Sequence, residues 1–62
     1  MTRKDYVAMA QVIREEVDNF DSIPEAMTAI HNITEGMAKV FKQDNERFDY
    51  ERFISACGLY GL

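Results

Sequence analysis

Asn19-Phe20-Asp21-Ser22-Ile23-Pro24-Glu25 decides the fold. An amphipathic helical pattern runs up to this stretch and another leaves it, and Asn19-Phe20-Asp21-Ser22 is long enough only for a tight helix-to-helix connection, so the second helix must return antiparallel along the first. Ser22 reads as an N-cap with Glu25 three positions on. Pro24 falls in the first turn, where its missing N–H costs nothing. The expectation is a helical hairpin.

Upstream, Tyr6, Ala10, Ile13, Val17 and Phe20 recur at alternating spacings of four and three, which puts them on one stripe of a helix over residues 3–19. Met9 widens the stripe, Val7 and Val12 sit on its flanks, and Arg14, Glu15 and Asp18 lie opposite. Thr2 with Asp5 three positions on marks its start. Downstream, the second helix is expected over residues 23–42. Its apolar set is Ile23, Ala26, Met27, Ile30, Ile33, Met37, Val40 and Phe41. That set covers roughly half the circumference, more than one neighbour can bury. Gly36 inside it costs about 1 kcal/mol relative to Ala, and marks either close approach of another backbone or a tolerated weak point.

Gln43-Asp44-Asn45-Glu46-Arg47 breaks the periodicity and reads as the linker. In Phe48-Asp49-Tyr50-Glu51-Arg52-Phe53, Asp49 is the expected N-cap, Phe48 and Phe53 are placed to form a hydrophobic staple, and the third helix covers residues 50–57 with Gly58 as a left-handed cap. The tail Leu59-Tyr60-Gly61-Leu62 docks by its apolar residues or frays. The fold class is therefore all-α: a small single three-helix domain over residues 1–62, an antiparallel helical hairpin plus a short C-terminal helix.

Length and composition bound the function. A chain of 62 residues buries only about 60% of its unfolded surface, so its core is marginal without a staple or a partner. Cys57 is the only cysteine, which excludes an internal disulfide and a multi-cysteine zinc site and fits a reducing cytoplasm. Met1-Thr2-Arg3-Lys4-Asp5 opens directly into the amphipathic pattern, with no unbroken apolar run resembling a secretion signal and none near the ~18 residues of a membrane span, so a protein that stays where it is made is the expectation. Net charge is −4, from eleven acidic against seven basic residues. Phosphate binding rests on clustered Lys and Arg, so this balance argues against nucleic acid as the partner.

Few residues could carry chemistry. His31 and Glu35 are four apart on the second helix, but no second histidine or cysteine lies nearby to complete a metal site, and a surface pair is the expected reading. Cys57 sits in the last turn of the third helix, where the helix dipole disfavours a thiolate, so a small buried thiol is expected in place of a nucleophile served by His31. No enzyme activity, metal or cofactor is expected. Met9, Met27 and Met37 read as core filling, and Tyr50, Phe53 and Tyr60 as anchors for the third helix.

Helix lengths turn this pattern into an expectation about assembly. At about 1.5 Å per residue the second helix spans about 30 Å and the third only about 12 Å. The third should lie over Phe41, Met37 and Tyr6, leaving Phe20, Ile23, Met27 and Ile30 at the turn end as the interface residues of a homodimer or of a complex with another protein. The runner-up is a nucleic-acid-binding accessory protein. In it, Arg3, Lys4, Arg47 and Arg52, which come from two ends expected to meet, form a small basic patch that contacts phosphates.

The opening Met1-Thr2-Arg3-Lys4-Asp5-Tyr6 with Ala10-Gln11-Val12-Ile13-Arg14, and the closing Asp44-Asn45-Glu46-Arg47-Phe48-Asp49-Tyr50-Glu51-Arg52-Phe53 with Ala56-Cys57-Gly58, resemble a group of short uncharacterised proteins of tailed bacteriophages and prophages. The resemblance covers both ends of the chain and not its middle. It implies a bacteriophage origin, expression in the host bacterial cytoplasm, and action by binding a host or phage protein. It supplies no activity.

Overall fold

The computed structural model describes residues 1–59. Three helices follow in order: α1 over Arg3–Phe20, α2 over Pro24–Asp44 and α3 over Tyr50–Ala56. They form a three-helix domain about 33 Å long and 17 Å wide, set by the 21 residues of α2. Among the described residues there is no strand. The last residues of the tail, 60–62, lie outside the described part, so the expectations for Tyr60 and for tail docking reach only to Leu59, which is buried.

α1 starts where the sequence places it. The Asp5 carboxylate accepts the Thr2 backbone N–H at 2.9 Å and the Thr2 hydroxyl at 3.3 Å, tying the helix start to its own first turn. The start of α2 departs from expectation: Ile23 is the N-cap, with no side-chain cap hydrogen bond, and Ser22 is not used. The cause is Pro24. Its ring disfavours helical geometry in the preceding residue, and Ile23 accordingly sits extended at φ −113°, ψ 100°. The connection is thereby Asp21-Ser22-Ile23, closed by the Ile23 N–H donating to the Phe20 carbonyl at 3.0 Å.

α2 runs to Asp44, two residues past the expected end. The Lys42 ammonium donates to the Glu46 carbonyl at 2.6 Å and the Phe48 carbonyl at 3.1 Å, so the segment after α2 is folded back onto its last turn. Asn45 orders the same turn. Its side-chain oxygen accepts the Arg47 N–H at 3.0 Å and its carbonyl accepts the Phe48 N–H at 2.9 Å.

α3 is capped at both ends as its sequence directs. Asp49 Oδ1 accepts the Arg52 N–H at 3.0 Å, and the rings of Phe48 and Phe53, both buried, are 5.5 Å apart as the staple. At the other end Gly58 takes φ +82°. The Gly58 N–H reaches the Ser55 carbonyl at 2.9 Å and the Leu59 N–H reaches the Ile54 carbonyl at 3.2 Å, a Schellman closure accompanied by burial of Leu59 and Ile54. A side chain at Gly58 would be strained by that φ, and this corner lies against α1: a Cβ there would stand 3.7 Å from Arg14 Cγ and Val17 Cγ1.

The core gathers Ala10 and Val17 of α1, Thr34 and Ala38 of α2, and Phe48, Phe53, Ile54, Cys57 and Leu59 from the chain around α3. Tyr6, Phe41, Phe48 and Phe53 form one aromatic cluster, with neighbouring centroids 4.7–5.5 Å apart, which places α3 over Phe41 and Tyr6 as expected, whereas Met37, expected beneath it as core filling, lies half-buried and off the core. Two assignments within α2 change. Ile33 and Val40, expected in the apolar set that packs inward, point outward, while Thr34 and Ala38 take the innermost line. Thr34 tolerates full burial because its hydroxyl donates back to the Ile30 carbonyl at 2.7 Å, leaving only its methyl to pack. Val7 and Val12, expected on the flanks of α1, are well exposed.

Candidate functional site

Two surfaces stand apart from the rest of the molecule. The first is the outer side of α2. Ile23, Ala26, Ile30, Ile33, Met37 and Val40 follow one another at spacings of three and four, the repeat that keeps a line of side chains on one face of a helix. Ile30 packs against the core from a half-buried position, and Ala26 and Met37 are also half-buried. Ile33 is 62% exposed and Val40 60% exposed, and Ile23 at the end of the line is 44% exposed. This helix thus carries an inner line through Met27, Thr34, Ala38 and Phe41 that packs inward, and an outer line that the fold covers only in part, leaving Ile23, Ile33 and Val40 exposed.

Beside the outer line run Ala29 and Gly36, both exposed. A Cβ at Gly36 would meet nothing within 4 Å. Gly36 is therefore not a point of backbone approach inside this chain. Of the residues expected at the interface, Phe20, 38% exposed, and Ile23 are open to water, whereas Met27 and Ile30 are half-buried against the core. The outer positions Ile33 and Val40 were missed because any apolar residue within the wide arc of α2 reads as inward-facing until the neighbours' positions are known.

The second surface is a cleft of about 350 Å³ between the start of α1 and the segment that leads into α3. Arg3, Arg47 and Arg52 all line it. Lys4 does not, so the fold brings together three of the four basic residues. The buried rings of Phe48 and Phe53 and the side chain of Ala10 make its floor, and the exposed Val7 forms part of its wall. Tyr6 also lines the cleft. Its hydroxyl oxygen is covered and has no hydrogen-bond partner among the described residues, a cost the fold accepts at the edge of the aromatic cluster.

Elsewhere the polar groups have ordinary roles. His31 Nε2 lies 3.4 Å from Glu35 Oε2, and Lys39 Nζ lies 3.8 Å from Glu35 Oε1, so one glutamate serves both neighbours on the surface of α2. Among the described residues no group of three or more His, Cys, Asp or Glu side chains is placed to hold a metal ion. Cys57 is fully buried, and burial pushes its thiol up to about 11, which keeps it protonated at neutral pH. No helix among the described residues is long and apolar enough to cross a membrane.

In comparison with known proteins, the chain matches no protein family, no curated protein and no solved structure.

Proposed function

We propose that this chain is an interaction protein that works through a surface in place of an active site, and that it pairs with a second copy of itself along the outer line of α2. The reading rests on Ile33 and Val40, two large apolar side chains held in water on a line that begins at Ile23. Covering such side chains is worth about 1.5–3 kcal/mol each, a large gain for a domain of this size. The small residues Ala29 and Gly36 at the edge of the line leave room for a second helix to approach.

Antiparallel pairing is the arrangement the charges favour. Asp44 continues the line at the C-terminal end of α2, and parallel pairing would set two Asp44 carboxylates beside each other at two negative helix ends. An antiparallel partner offers each Asp44 the positive N-terminal end of the other helix. Phe20, next to Ile23 at the turn, extends the same surface. The setting implied by the resemblance at the chain ends is a bacteriophage-infected or lysogenic cell. In that setting the protein works in the host bacterial cytoplasm, as a homodimer or against a host or phage protein.

Sedimentation equilibrium tests this. Wild-type protein should have a dimer mass, and Ile33→Asp should have a monomer mass with its helical circular dichroism retained, because Ile33 contributes little to the core. A wild-type protein that stays monomeric at millimolar concentration would contradict the proposal. The nucleic-acid reading gains one supporting observation, the three arginines on one cleft. It requires binding that falls steeply with added salt, whereas pairing through Ile33 and Val40 should be nearly indifferent to salt.

A further inference from the structure

We infer that the cleft between α1 and α3 binds a small oxyanion, a carboxylate or phosphate, carried on an apolar body of aromatic size. It is independent of the self-pairing surface, since none of the residues lining the cleft belongs to α2. Arg3, Arg47 and Arg52 converge on it against a single lining carboxylate, Asp49. That carboxylate is already engaged as the cap of the Arg52 N–H. Both ion pairs found among the described residues lie on α2, so the three guanidiniums stand outside them. Guanidinium groups present donors in a planar fork suited to carboxylate and phosphate.

The floor gives the second half of the recognition. Phe48, Phe53 and Ala10 are buried residues whose surfaces face the cleft, and Val7 stands exposed at its side. A volume of about 350 Å³ is at the lower end of the range for small-molecule sites, which combine an apolar lining with a few placed polar groups. The net charge of −4 opposes the approach of a polyanion, and a cleft of this size takes no more than one ring with its charged group. A compact anion with an apolar body uses both halves.

Amide chemical-shift mapping on the full chain tests this with phenylacetate, phenyl phosphate, inorganic phosphate, the neutral phenylacetamide and a short oligothymidylate at matched ionic strength. Phenylacetate or phenyl phosphate should perturb amides in the first turns of α1 and from Arg47 into α3, and whichever binds tighter identifies the oxyanion. Inorganic phosphate and phenylacetamide should each bind at least about tenfold more weakly, having lost one half of the recognition. The double variant Arg47→Gln, Arg52→Gln should lose about tenfold or more for the two phenyl anions while its thermal melt stays unchanged, since both side chains are exposed. Val7→Glu, a second and independent variant, should weaken the phenyl anions as well. Equal binding of inorganic phosphate, shifts that are scattered or confined to α2, or affinity unchanged in both variants would overturn the inference. So would an oligothymidylate that binds tightest and depends on Lys4, which would make the cleft part of a nucleic-acid surface.

Discussion

At the end of the hairpin where α3 begins, four aromatic rings interlock and the helix is capped by Asp49 and stapled by Phe48; its far end, at Gly58, closes against Arg14 and Val17 of α1, nearer the turn. At the turn end, Phe20 and Ile23 are open to water and α2 starts on an N-cap that offers its backbone no side chain. The same contrast recurs across α2, whose inner line is packed against the core and whose outer line leaves Ile23, Ile33 and Val40 exposed. A chain with one cysteine and 62 residues has little core to spend, and it concentrates that core where three segments meet. The unsealed parts are where a second molecule has most to gain.

Truncating a ring at each end gives the sharpest contrast. Phe53→Ala should cost about 3–5 kcal/mol in urea denaturation, because it removes a buried ring packed on both Phe41 and Phe48. Phe20→Ala, at a ring 38% exposed, should cost clearly less, about 1–2 kcal/mol, when measured under monomeric conditions. Equal costs would mean that the turn end is packed as firmly as the α3 end. The caps repeat the comparison on a smaller scale. Asp49→Ala should destabilise by about 1 kcal/mol, whereas Ser22→Ala should change stability little, since Pro24 holds Ile23 in the cap position. A comparable loss from Ser22→Ala would show that the start of α2 is side-chain capped after all.

Removing the orphaned hydroxyl probes a flaw inside the firm end. Tyr6→Phe should raise stability by about 1 kcal/mol, because a covered hydroxyl without a partner is a net cost; a loss would reveal a partner for that oxygen. Gly36→Ala should raise monomer stability by about 0.5–1 kcal/mol, since the position is helical and its Cβ would meet only open space. The same methyl should weaken self-pairing if Gly36 borders the interface, and thermal melts at two protein concentrations separate the effects.

Most of the architecture could be read from local chemistry. The tight turn between α1 and α2, the Asp49 cap, the Phe48–Phe53 staple and the Gly58 cap depend on residues within a few positions of one another, and all four are present, whereas the seat of α3 on Phe41 and Tyr6 is made by residues far apart in the chain. The misplacements concern information the sequence does not hold locally. Ile33 and Thr34 are adjacent on α2, and only the placement of α1 and α3 determines which of them faces inward. A hydrophobicity pattern favours Ile33, while the hydroxyl of Thr34, satisfied by its own helix, lets the smaller residue take the tighter place. The N-cap position of Ile23 also follows from a local rule, the restriction Pro24 puts on the residue before it. The convergence of Arg3, Arg47 and Arg52 was legible only as two chain ends expected to meet; that Lys4 falls outside the cleft depends on the rotation of α1.

Mixing isotope-labelled with unlabelled protein and recording only contacts between the two kinds of molecule tests self-pairing most directly. The account predicts intermolecular contacts from the methyl groups of Ile33 and Val40 to the partner's α2, arranged so that residues near Ile23 of one molecule meet residues near Val40 of the other. An absence of intermolecular contacts at millimolar concentration, or contacts made only through the cleft and α3, would contradict it.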